Sequence, residues 1–199
     1  MQIIDNALPP AIFLKLKRTV EDPSFAWYYG RRVNSRTETR DNLFLYGWHH
    51  FIGRVHEGKQ EIENRELWTS IETGLAFAVQ RIGQELNEIW RMRLILNTVA
   101  DQQYLLGAHV DYERPHQTAL LYLDDSDGDT VIYKERYNPM FKIHSDDHWE
   151  HIEANATEAM RVSPKANRML FFNGLHYHAG HMPIASARRI AVNINYTIK

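Results

Sequence analysis

Gly107-Ala108-His109-Val110-Asp111-Tyr112 sets an imidazole and a carboxylate on either side of one apolar residue. In an extended strand residues two apart point to the same face, so His109 and Asp111 are predicted to project together from one edge of a sheet. A third donor of the same kind stands downstream in Gly174-Leu175-His176-Tyr177-His178-Ala179-Gly180-His181, ahead of Arg188-Arg189 and a final strand-like run. Two neutral imidazoles and one carboxylate on one side of a cation leave its other side open, a donor set suited to non-haem iron(II). A His-x-Asp tripeptide alone is common; the order of parts after it gives the reading its weight.

Composition sets the outer limits. A chain of 199 residues, 44% hydrophobic and 24% charged, fits one globular domain with a sizeable core. The formal net charge of -2 gives no basic surplus, so nucleic acid is not the default partner. The absence of cysteine excludes disulfides, zinc-thiolate sites and thiol nucleophiles. The N-terminus lacks a basic region followed by a long apolar segment, and no stretch approaches the roughly 20 apolar residues of a membrane span. A soluble cytoplasmic protein is the expectation.

Around the His109 run the chain has β character. Short runs at 94–99, 104–112, 118–123, 130–133, 160–162, 168–172 and 190–198, separated by turn residues, predict a sandwich or a double-sheet jelly roll. Upstream, 3–6 reads as a short edge strand, and Leu8-Pro9-Pro10 opens a helix because proline tolerates the first turn. Ile12, Phe13, Leu16 and Val20 share one face of that helix, which Asp22-Pro23 ends. Leu67, Ile71, Leu75, Ala78, Ile82, Leu86 and Ile89 predict a longer helix over 64–90, packed on one face of the sheet. The aromatic runs at 25–29 and 44–51 read as core or sheet surface, and 31–41 as a solvated loop. His49 and His50 are adjacent, hence point oppositely in a strand and make a poor metal pair. The connection 134–159, carrying His144, Asp146, Asp147, His148, Glu150, His151 and Glu153, reads as a solvated insertion at the barrel mouth. The expected organisation is one α+β domain over 1–199, with 1–92 mainly helical support and substrate-side elements and 93–199 the core.

From Tyr104 onward the chain resembles the iron(II)/2-oxoglutarate dioxygenase superfamily, most closely its prolyl-hydroxylase-like branch and the small oxygenases of that type carried by bacteriophages. His109 and Asp111 match its strand-borne His-x-Asp. Thr118-Ala119-Leu120-Leu121-Tyr122-Leu123-Asp124-Asp125 is similar to the strand that follows, and Asp127-Gly128-Asp129-Thr130 keeps one of the two glycines of the family's next turn. The closing motif is an apolar strand, a His, a Pro-containing loop and a basic residue opening the last strand. Arg168-Met169-Leu170-Phe171-Phe172-Asn173-Gly174, then His178, Pro183 and Arg189-Ile190-Ala191-Val192-Asn193-Ile194-Asn195-Tyr196 look like it.

The resemblance implies a double-stranded β-helix (jelly roll) with N-terminal supporting helices, and a catalytic iron held by His109, Asp111 and His178. His176, which shares the strand parity of His178, and His181 stay as alternatives. It implies 2-oxoglutarate and dioxygen as cosubstrates and ascorbate as reductant. The far carboxylate of 2-oxoglutarate calls for a guanidinium, because a buried charge without a partner is costly. Arg189 is chosen, with the Tyr122 hydroxyl as a second donor, because Arg189 shares its face with Ala191, Asn193 and Asn195. Arg188 shares its face with Ile190, Val192 and Ile194. Related halogenases lack the carboxylate ligand, so Asp111 implies a hydroxylase. A peptidyl proline is the first substrate expected, a free amino acid or small metabolite the second. Rival readings are a non-catalytic β-sandwich binding module and a cupin-like metalloenzyme without a cosubstrate.

Overall fold

The computed structural model describes residues 1–30, 47–56, 58–140, 152 and 155–199. The polar run at 31–41, the start of the second aromatic run, and the acidic and histidine residues from His144 to Glu153 lie outside the described residues.

Pro9-Pro10 starts α1 (Pro10–Glu21), which buries Phe13, Leu16 and Val20. Asn64 caps α2 (Arg65–Arg81), its side chain accepting from the Leu67 N–H at 3.1 Å. The helix expected over 64–90 stops nine residues early. Gly83 takes a left-handed conformation (φ 73°). Its N–H donates to the Gln80 carbonyl at 3.0 Å, and that of Gln84 to Val79 at 3.1 Å. This pairing of bonds closes a helix C-terminus and depends on a residue tolerant of positive φ. Leu86 and Ile89, read as the last turns of the helix, instead begin β5 (Leu86–Thr98).

The other strands are β1 (Gln2–Ile4), β2 (Tyr28–Gly30), β3 (Gly47–His56), β4 (Lys59–Ile62), β6 (Gln117–Tyr122), β7 (Thr130–Arg136), β8 (Glu158–Val162), β9 (Arg168–Asn173), β10 (His176–Gly180) and β11 (Arg188–Ile198). Residues before 93 therefore contribute strands to the large sheet as well as both helices. That antiparallel sheet runs β1-β9-β6-β11-β5-β3-β2, with β4 on β3; a smaller sheet runs β10-β7-β8. The helices cover one face of the large sheet. Leu16, Val20, Ile71 and Leu75 pack there with Met92, Leu94, Val192 and Ile194. Between the two sheets lies a second core of Leu120, Tyr122, Ile132, Val162, Leu170, Phe172 and Ala191. The fold is an α+β double-stranded β-helix with supporting N-terminal helices. No described helix is long and apolar enough to cross a membrane.

The strand expected over 104–112 is a second correction. This segment meets β10 and the residue just after it only at two isolated bridges, His109 with His178 and Leu105 with His181. The pairing slips by one residue between them, so no continuous ladder forms.

Gly74 lets α2 approach the chain's N-terminal segment closely, since a Cβ there would lie 2.6 Å from Leu8 Cγ. Helix propensity favours alanine over glycine by about 1 kcal/mol, whereas overpacking a core costs about 1–3 kcal/mol. Gly74→Ala is therefore expected to lower the denaturant midpoint; a rise would show that Leu8 yields freely.

Candidate metal centre

In the large sheet β11 runs antiparallel to β5, with Asn195 opposite Arg91, Asn193 opposite Arg93, Ala191 opposite Ile95 and Arg189 opposite Asn97. Opposed residues share a face. A largely polar row therefore looks toward the small sheet, while Met92, Leu94, Ile190, Val192 and Ile194 look toward the helices.

At one end of that row, His109, Asp111 and His178 offer donor atoms that all lie within 4.8 Å of one another. His109 Nε2 is 4.0 Å from Asp111 Oδ1, and His178 Nε2 is 3.8 Å from Oδ2. Each imidazole is oriented through its other nitrogen. His109 Nδ1 lies 3.1 Å from the Gly107 carbonyl and His178 Nδ1 3.3 Å from that of His176. A carbonyl can only accept, so both Nδ1 atoms carry the proton and both Nε2 lone pairs face the carboxylate. Asp111 is held by Arg91 on Oδ1, and on Oδ2 by the side-chain amides of Asn193 at 3.1 Å and Asn195 at 2.9 Å.

Burial pushes His109 down to about 3, helped by repulsion from His178, and lowers His178 as well. For Asp111 burial acts upward, but Arg91 and then the two imidazoles and Arg93 hold the carboxyl well below its usual range. Two neutral imidazoles thus converge on an ionised carboxylate. His178 Nε2 is buried without a hydrogen-bond partner. A divalent cation would satisfy that lone pair, and the N,N,O donor set suits iron(II) with open positions.

The same cavity, lined by His109, His178, Thr130 and Asn97 among others, reaches Arg189. Arg189 is 5% exposed. It donates to Thr130 Oγ1 at 2.8 Å and to Asn97 Oδ1 at 3.4 Å, and it lies 5.6 Å from the Tyr122 ring centroid. No carboxylate forms an ion pair with it among the described residues. Burial pulls its pKa below the usual arginine value. The Tyr122 hydroxyl donates to Thr130 Oγ1 at 2.8 Å, so its proton is committed there. Thr130 accepts from both neighbours, which leaves its own O–H as a donor.

The remaining sequence candidates stand apart. A bulge between His176 and His178 breaks the strand parity that would have put them on one side. His176 instead places Nδ1 2.8 Å from the Tyr133 carbonyl, and its Nε2 accepts from Arg136 at 3.2 Å. His181 Nε2 lies 2.9 Å from Arg161. Arg188 reaches Asp124 at 2.9 Å and Glu21, away from the cavity. Arg91, Arg93, Asn97 and Thr130 escaped the sequence reading. The alternation in Arg91-Met92-Arg93-Leu94 was available as a strand pattern, but the helix assigned through Trp90 obscured where it began.

Turn residues 127–129 hold the loop around Pro183 against the cavity. Asp127 accepts backbone N–H bonds from Ile184, Ala185 and Ser186 at 3.0, 2.9 and 2.8 Å. Gly128 is required by close approach, since a Cβ there would sit 2.8 Å from the His181 carbonyl oxygen and 2.9 Å from Arg189 Cδ.

No protein-family model matches the sequence, and no curated protein does. Solved structures do match. A prolyl hydroxylase from Trichoplax adhaerens, in complex with a hypoxia inducible factor oxygen degradation domain peptide fragment, superposes at TM-score 0.56 and 17% identity over 98% of this chain and 82% of its own. A 2OG-Fe(II) oxygenase family oxidoreductase from Burkholderia pseudomallei gives 0.63 and 12%, over 98% and 84%. HygX from Streptomyces hygroscopicus, with nickel and 2-oxoglutarate bound, gives 0.59 and 12%, over 98% and 81%. The chain has the fold of the 2-oxoglutarate/Fe(II) oxygenases, prolyl hydroxylases among them.

Burial acts to raise the Asp127 pKa, but the backbone N–H donors outweigh it and depress the folded-state value. Its stabilisation is present above the unfolded carboxyl value, about pH 4, and is lost as pH falls through the folded-state value. Asp127→Ala should cost about 1–3 kcal/mol at neutral pH, and less in acid. Denaturant melts at pH 7 and pH 3 test this; an equal loss at both would contradict it.

Proposed function

We propose that this chain is a non-haem Fe(II)/2-oxoglutarate-dependent dioxygenase that hydroxylates an unactivated C–H bond. The observation that carries the reading is one cavity with two complementary ends. A His109/Asp111/His178 donor set faces one end, and Arg189, buried without a carboxylate partner among the described residues, faces the other.

His109, His178 and Asp111 would hold the metal. Iron(II) bound there would supply the oxidising chemistry, with 2-oxoglutarate converted to succinate and carbon dioxide as dioxygen delivers one atom to the substrate C–H bond. The carbonyls of Gly107 and His176 keep both imidazoles in the ligating tautomer. Arg91, Asn193 and Asn195 keep Asp111 ionised and aimed. Arg189 would bind the far carboxylate of 2-oxoglutarate through charge-assisted hydrogen bonds, joined by the Thr130 hydroxyl. Tyr122 serves by orienting Thr130. The leucine, valine and phenylalanine core between the sheets excludes water from this end.

For the substrate, likeness to the Trichoplax prolyl hydroxylase with its bound peptide supports a peptidyl proline; a free amino acid or small metabolite is the second candidate.

With Fe(II), ascorbate, 2-oxoglutarate and oxygen, the purified protein should form succinate slowly without added substrate, and His109→Ala should abolish this. Arg189→Met should weaken 2-oxoglutarate binding by about 2–5 kcal/mol while iron affinity is kept. Absence of both turnover and anaerobic 2-oxoglutarate binding would place the chain among non-catalytic binding modules.

A further inference from the structure

Three arginines lie in or beside the cavity, and two have assigned partners. Arg91 meets Asp111, donates to Asn195 Oδ1 at 3.1 Å and lies over the Tyr112 ring at 5.2 Å. Arg189 is held by Thr130 and Asn97. Arg93 makes no hydrogen bond or ion pair among the described residues, and its Nε is buried without a partner. It lines the cavity together with His109, His178 and Asn193.

The surroundings of Arg93 indicate what would meet it. In the ladder it lies opposite Asn193 on one side and Phe51 of β3 on the other. His49 is opposite Ile95, and Tyr28 of the edge strand β2 is opposite His49. Tyr28, His49 and Phe51 therefore share the face that carries Arg93 and continue it to the rim. Their rings form a run, with Tyr28 and His49 centroids 6.5 Å apart and those of His49 and Phe51 5.5 Å apart. Burial first, then the charges of Arg93 and His50, lowers the His49 pKa and favours its neutral form. Among the described residues, the face formed by Tyr28, His49, Phe51 and Arg93 is thus aromatic except for one guanidinium beside the metal ligands.

Charge balance points the same way. With a divalent cation and dianionic 2-oxoglutarate in place, those two cancel, and Arg91 cancels Asp111. The site then keeps the surplus positive charges of Arg189, which faces the cosubstrate end, and of Arg93, partly desolvated beside the metal end, where an anion is favoured.

We propose that Arg93 binds a carboxylate carried by the primary substrate, whose apolar body lies along Phe51, His49 and Tyr28. The substrate class is a small carboxylate-bearing molecule, such as a free amino acid. This inference rests on the oxygenase reading above, and it favours the second substrate candidate over an internal peptidyl proline.

The test uses free L-proline, L-leucine and L-phenylalanine, their C-terminal amides, and a peptide with an internal proline and no acidic residue. Binding is measured by calorimetry on Zn(II)-loaded protein with 2-oxoglutarate, and succinate release with Fe(II). At least one free acid should bind and stimulate succinate release, with its amide at least roughly 10-fold weaker. Arg93→Gln should weaken acid binding by roughly 10- to 100-fold, with 2-oxoglutarate affinity and melting temperature kept. Arg93→Lys should recover part of the loss, and serves in its place if the Gln variant fails to fold. Acids that bind no better than amides while 2-oxoglutarate binds normally would overturn the inference and leave the oxygenase reading standing. So would loss of 2-oxoglutarate affinity in Arg93→Gln, or stimulation by the peptide equal in variant and wild type. Failure of wild type to bind 2-oxoglutarate would overturn both.

Discussion

The pairing of β11 with β5 is the constraint on which the rest of the molecule depends. Because side chains alternate across a sheet, one register decides two surfaces at once. In the observed register Ile190, Val192 and Ile194 enter the helix-covered core, and Arg189, Asn193 and Asn195 enter the cavity. A slip of β11 by one residue would exchange the sets. It would bury a guanidinium and two amides among Leu75, Met92 and Leu94, and expose three β-branched residues to the polar cavity. Leaving a charge buried and unpaired costs several kcal/mol, so the core and the site enforce the same register.

The price of placing ionisable groups between two sheets is met unequally along the cavity. Asp111 has its charge met by Arg91, Asn193 and Asn195, yet both of its oxygens still face an imidazole nitrogen. A carboxylate accepts about four hydrogen bonds, so three protein partners leave capacity for a metal. The turn after Asp111 is braced from outside. Trp90 stacks on His116 with centroids 5.7 Å apart, Arg114 sits 3.8 Å over the Trp90 ring, and His116 Nδ1 lies 2.8 Å from the Arg114 carbonyl. These contacts pin the chain just after Asp111, where no strand ladder does so. Among the described residues Arg189 donates hydrogen bonds only to the neutral Thr130 and Asn97, and Arg93 donates none.

Much of this arrangement was legible in the residue order, and the exceptions have physical causes. The alternation of the last strand separates Arg189 from Arg188, since each residue's neighbours two positions away are small or polar in one case and branched apolar in the other. The stripe Leu67, Ile71, Leu75 and Ala78 identified a helix buried along one side. Its end was missed because Ile82, Leu86 and Ile89 continue the helical spacing by coincidence, while Gly83, the residue that stops the helix, acts through its backbone alone. The run at 104–112 has the pattern of a strand, but β10 and the residue after it accept it at two bridges in different registers.

The sequence by itself determined the chemistry of the donors: two imidazoles and a carboxylate, a guanidinium on the polar face of a closing strand, and an apolar frame able to hold them. Tertiary structure alone decided which histidine joins His109 and Asp111, because a single bulge in β10 separates His178 from His176. It also decided which polar groups serve the charges. Arg91 meets Asp111 and Arg189 meets Thr130 across 20 and 59 residues of chain. A buried polar side chain takes its partner from whatever strand pairing brings beside it, and nothing in its local sequence records that choice.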